Sequence, residues 1–294
     1  MTVKTISLCR LLTLFSFFIS TPVIDGALFL QAASAPWETG GGDIFALKFV
    51  KIGRAFGDEM SKGGAACAPL RRFVDPAQFL QAVDQVHISS VNGTPQYFPH
   101  SIQFNRRMWY NSSKSEKLRE VFRGYSVLAT AKLPQVSSES INRCLPSSVV
   151  AKTFGTLDEN LQDSPQTFAK DFRQANLELG QIIAQHSKEL NSWSIPTSRL
   201  LEVVELANQN RLELTSSSLP LHFKSGEIKD GRNSKSGDSL FLSLNEPIWT
   251  RVDQTQRVEL LFHEYLGLAD VDDSFYQYSS RLWKMVPSQH YKEL

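Results

Sequence analysis

Cysteine is scarce in this chain: three in 294 residues, at positions 9, 67 and 144. None has a CxxC partner, which speaks against a two-cysteine metal site. Charge of one sign is also missing, since 31 Lys and Arg stand against 30 Asp and Glu. Without a strong positive field, no nucleic-acid partner is expected. No GxSxG occurs, so no nucleophile-elbow serine is indicated. The triplet Gly40-Gly41-Gly42 is followed by no GK[ST] and is not a phosphate loop. Beyond the first segment, no stretch is long and apolar enough to span a bilayer. The overall 41% hydrophobic and 21% charged residues suit a globular protein and exclude collagen, a disordered tail or a polytopic membrane protein.

What is present begins with an address. Lys4 and Arg10 precede the apolar run Leu11 to Ile19, and small residues follow up to Ala35. That order reads as a signal peptide over residues 1–34, cut after Ser34. The competing reading is an uncleaved anchor, which Asp25 interrupts. Cleavage removes Lys4, Arg10, Asp25 and Cys9, leaving a formally neutral mature chain with no integral membrane span. The expected location is periplasmic or secreted. Cys67 and Cys144 are then most simply one disulfide, worth about 4 kcal/mol if unstrained; the alternative is two buried free thiols.

The mature chain reads as α+β, in two related helix-helix-strand-strand-helix units. The first spans 35–132, a Ser- and Pro-rich connector spans 133–164, and the second spans 165–294. Phe45, Phe49, Ile52 and Phe56 recur at helical spacing. Asp75-Pro76 opens a second helix. Strands follow near Val86–Val91 and Ile102–Phe104, then a helix over 115–131. In the second unit, helices over 165–190 and 197–207 precede strands near 212–215, 219–223 and 240–244. Lys229 to Arg232 reads as a turn, and a last helix covers 253–268. Residues 104–129 and 244–269 align without gaps, with identities at Asn105/Asn245, Trp109/Trp249, Phe122/Phe262, Tyr125/Tyr265, Leu128/Leu268 and Ala129/Ala269. A tandem duplication explains this echo; a pattern shared by any strand followed by an amphipathic helix is the plainer account.

Where the first unit has Arg123-Gly124, the second has His263-Glu264. A His-Glu pair on a helix behind a strand is zincin-like: there two histidines one turn apart hold zinc while the glutamate activates water. Here the second histidine is replaced by Gly267, a bare notch that a ligand, a metal-bound water or another strand could approach. This makes His263 and Glu264 the candidate catalytic residues. His263 and Asp273 are candidate metal ligands, with His222 the first choice for a distant donor and His87 the second; zinc is the implied cofactor. Competing readings are a Glu259–His263 contact on the helix surface, and Asp270, Asp272 and Asp273 capping the next element or holding calcium weakly. Arg106 and Arg107 read as surface charges flanking a core Trp109, or as a stacking site for a sugar or nucleotide.

The segments GGGDIFALKF (40–49), LSLNEPIW (242–249) and LFHEYLGLADVDDSFYQYSSRLW (261–283) resemble a group of uncharacterised exported proteins of Bdellovibrio-like Gram-negative bacteria. Those typically carry a signal peptide, a Gly-rich start and a C-terminal HEYLG segment followed by Tyr-x-x-Ser-Ser. The matching positions are His263, Glu264, Tyr265, Gly267, Tyr278 and Ser279. The resemblance implies export and no particular activity. The expectation is therefore a non-catalytic binding or envelope-associated protein with an envelope or extracellular partner. The alternative is a metal-dependent, peptidase-like hydrolase using the degenerate His-Glu helix.

Overall fold

The computed structural model describes residues 37–286 apart from 95, 99, 155–166 and 224–226. The expected signal peptide, the end of the connector and the C-terminal tail lie outside the described residues. Strand β1 (Trp37–Gly40) leads into α1 (Ile44–Ser61), which starts where the Asp43 carboxylate accepts from the Phe45 and Ala46 N–H groups. A 3-10 turn over Ala65–Cys67 and the short α2 (Ala68–Arg71) precede α3 (Pro76–Gln85), capped by Asp75 with Pro76 at its first position. Then come β2 (His87–Val91), β3 (Gln96–Phe98) and β4 (Ser101–Asn105), followed by α4 (Arg106–Asn111) and α5 (Lys114–Thr130). Ser113 and Glu116 close a capping box at the start of α5.

The stretch expected to be a connector is helical where it is described: α6 (Ser138–Cys144) and α7 (Ser147–Phe154). Short helices with few apolar positions leave little periodicity to read. Cys144 ends α6 and is bridged to Cys67, with Cα atoms 4.5 Å apart, as expected. The second half holds α8 (Thr167–Gln185), α9 (Ser187–Ser192), α10 (Thr197–Asn208), β5 (Leu212–Ser217) and β6 (Leu221–His222). Next come β7 (Ile228–Lys229), β8 (Gly231–Ser236), β9 (Ser239–Asn245), α11 (Glu246–Trp249) and α12 (Gln254–Leu268). The supposed turn at Lys229–Arg232 is instead the junction of two strands, with Asp230 buried between them.

The fold is α+β, and one arrangement occurs twice. In the first half, β2 and β4 run parallel and β3 lies antiparallel on β4. In the second, β5 and β9 run parallel and β8 lies antiparallel on β9. The long helix α1 packs on α3 and α5, just as α8 packs on α10 and α12. Phe49 meets Trp109 at 5.3 Å, and Phe172 meets Trp249 at 6.3 Å. Each half centres on an apolar core, although Ile44 packs in the core of the second half and Tyr276 in that of the first. The halves also exchange strands: β7 pairs with β2 of the first sheet, and β1 pairs with β8 of the second.

Candidate functional site

Helix α12 carries His263 and Glu264, and it has no solvent face. Only Gln254, Arg257 and Gly267 escape the buried class among its residues. Its charged side chains therefore need internal partners, and Glu259, His263 and Glu264 find them on different elements. Glu259 does not contact His263 as a surface pair: it accepts from Lys51 Nζ of α1 at 2.6 Å, both side chains 1% exposed. Glu264 is fully buried. Its Oε1 accepts from the Gly42 N–H at 2.5 Å and its Oε2 from Asn233 Nδ2 of β8 at 2.6 Å. Burial pushes its carboxyl above the ordinary range, against the pull of His263 and these donors. The notch at Gly267 is filled by a strand: a Cβ there would sit 2.7 Å from the Asn233 amide. Glu264 is thus a strut between α12, β8 and the start of α1. Both of its oxygens are occupied, and it does not line the adjacent cleft.

His263 points the other way. Its Nδ1 lies 3.0 Å from Asp273 Oδ2. Asp273 is itself fixed by the Tyr278 and Ser279 N–H groups, at 2.8 and 3.2 Å. The imidazole stacks on Tyr276, centroids 4.6 Å apart and planes 23° from parallel. Tyr276 in turn accepts from the Asp43 N–H at 2.9 Å through its hydroxyl. Its φ of 54° is a left-handed value rarely adopted by an aromatic residue, a local cost that packing has to offset. With Nδ1 occupied, Nε2 has no hydrogen-bond partner among the described residues, and His263 lines a cleft of about 200 Å³.

Across the cleft, His87 at the start of β2 places Nε2 3.0 Å from Glu227 Oε1 and packs edge-on against Phe275. Glu227 also pairs with Lys229 at 3.2 Å. The His87 hydrogen bond, with help from Lys229, pulls the Glu227 carboxyl down to about 2. Arg106 is largely withdrawn from the surface, its side chain 11% exposed. It pairs with Asp230 and, at 3.8 Å, with Asp43, and lies over the Phe45 ring. Asp230 also accepts from the Ile44 N–H at 3.1 Å and from Asn245 Nδ2 at 3.0 Å, tying α1 to β9.

The predicted metal set does not assemble. His222 is exposed on β6 and does not line the cleft. Asp273 acts on the imidazole through a hydrogen bond. Among the described residues, no three or more His, Cys, Asp or Glu side chains are placed to hold a metal ion. The aspartates that follow do separate work: Asp272 accepts from the Ser274 N–H, and Asp270 pairs with Lys235 and Arg199 at the surface. His87, the second choice as a distant donor, is the histidine that reaches the cleft. The sequence carries no strong signal for Glu227, Asn233 or Tyr276, and Lys229 reads there only as part of a turn. The Glu-x-Lys spacing at 227–229, in extended chain entering β7, puts both side chains on one side, which is a weak signal. No protein-family model, curated protein or solved structure matches the chain.

Proposed function

We propose that this chain is an exported protein, periplasmic or extracellular, whose ligand seat is the cleft beside His263. One observation carries the seat: an imidazole clamped by Asp273, stacked on a strained Tyr276, and turned into a preformed cavity. Groups held this firmly at a cavity wall mark binding sites. Export is supported by the basic-apolar-small order of residues 1–35, and a disulfide suits an oxidising compartment. The repeated strand pairing, together with the Asn-x-x-x-Trp echo, supports descent from one duplicated unit in which only the second copy acquired His263. The peptidase-like alternative loses its water-activating carboxylate to the Gly42–Glu264–Asn233 contact.

Two measurements test this. The N-terminus of the protein recovered from an exporting host should begin near residue 35, with Cys67 and Cys144 oxidised; an intact N-terminus in a reduced cytoplasmic protein would count against export. A fragment screen followed by ¹H–¹⁵N spectra should give shifts clustered on His263, His87 and Lys229. Hits confined to other surfaces would remove the seat.

A further inference from the structure

Two imidazole–carboxylate pairs face one small cavity. His263 is held by Asp273 through Nδ1, and His87 by Glu227 through Nε2. In each, one ring nitrogen is occupied and the other has no hydrogen-bond partner among the described residues. Consecutive residues of a single loop brace both rings, Phe275 against His87 and Tyr276 against His263. The same loop supplies Asp273. One lysine, Lys229, lines the cavity as well. A protein that only bound a ligand would not need two separately oriented imidazoles, whereas a proton-transfer site needs one group to take a proton and one to give it.

We propose that His263 and His87 form a general base and general acid pair that hydrolyses small carboxylic esters without a metal. This rests on the reading of the cleft as a ligand seat. Water is the nucleophile, because, among the described residues, no hydroxyl or thiol is hydrogen-bonded to His263 Nε2 and the only hydrogen bond of the ring is to Asp273. His263 Nε2 takes a proton from water as the water oxygen bonds to the ester carbonyl carbon. Lys229 provides positive charge for the oxyanion that forms. The carbon–oxygen bond to the leaving alkoxide then breaks, and protonated His87 gives the alkoxide its proton. His263 returns its proton to solvent and His87 takes one up, so ester and water become acid and alcohol. Asp273 and Glu227 are positioning residues that fix which ring nitrogen is presented.

The test uses chelator-treated mature protein and two probes. 4-Nitrophenyl acetate has a leaving group that departs without a proton; ethyl acetate has one that needs it. His263→Gln should lower kcat/KM at least about a hundredfold on both probes. His87→Gln should do so on ethyl acetate and change the 4-nitrophenyl rate less than about threefold, a split that a structural role would not produce. His87 is only half-buried, and matching Tm values for His87→Gln and wild type serve as the folding control. Saturation by either ester with no loss in His263→Gln overturns the catalytic proposal and leaves the seat standing. No rate above the uncatalysed background with either ester overturns the catalytic proposal, and the fragment screen decides the seat separately.

Discussion

If Glu264 is a strut rather than a base, its removal must cost stability. Glu264→Ala strands the Gly42 N–H and the Asn233 amide in a buried site, since the carboxylate accepts from both and is fully buried. Each buried unpaired donor costs about 1–3 kcal/mol, so the loss should be about 3–5 kcal/mol with the cavity included. Glu264→Gln keeps the shape and one acceptor oxygen, and Asn233 can present its carbonyl to the new amide, so its cost at neutral pH should be about 1 kcal/mol. The pH dependence has a definite sign. A carboxyl raised by burial contributes stability that is full below the unfolded-state pKa and is lost as pH rises through the folded one. The advantage of wild type over Glu264→Gln should therefore shrink as pH rises from acid through the folded pKa. Denaturant unfolding of both variants at several pH values measures this. A Glu264→Ala protein within about 0.5 kcal/mol of wild type would refute the reasoning.

Lys51→Met leaves Glu259 buried without its partner and should cost about 3–5 kcal/mol, while the double replacement of Lys51 and Glu259 by Met and Leu should recover most of it; equal losses in both would contradict the pairing. Glu227 has its folded-state value pulled to about 2, so its contribution is present above the unfolded value and lost as pH falls from near 4.5 toward 2. Discounted for solvent screening, comparison of acid unfolding with Glu227→Gln should show a difference on the order of 1–2 kcal/mol across that window, and superimposable profiles would sink it. Reducing Cys67–Cys144 should lower stability by about 4 kcal/mol, read from denaturant curves with and without reductant; coincident curves would oppose that magnitude.

The elements that could be read from the sequence are those with a strong local cause. Asp43, Asp75-Pro76, Ser113 and Asp253 all start helices where a side chain can satisfy the first N–H groups. The Asn105 and Asn245 segments could be aligned because a strand, a short helix and a buried Trp keep fixed spacing. The site was legible only in part. His263 and Asp273 are ten residues apart and meet through a local loop, so spacing exposed them. The contacts of Glu264 were not legible, because helical angles place a residue on a face without saying what covers that face. Here β8 and the segment before α1, both remote in sequence, cover it. His87 and Glu227, 140 residues apart, meet only because β7 crosses to the other sheet. No local pattern encodes that exchange.

Long-range ¹H–¹⁵N spectroscopy of the ligand-free mature protein above neutral pH reads which nitrogen of His263 carries the proton. A proton on Nδ1, shared with Asp273, with Nε2 bare and the pattern lost in Asp273→Asn, is the outcome this geometry requires. A ring protonated on Nε2 and indifferent to Asp273→Asn would mean that His263 is not held for use at the cleft.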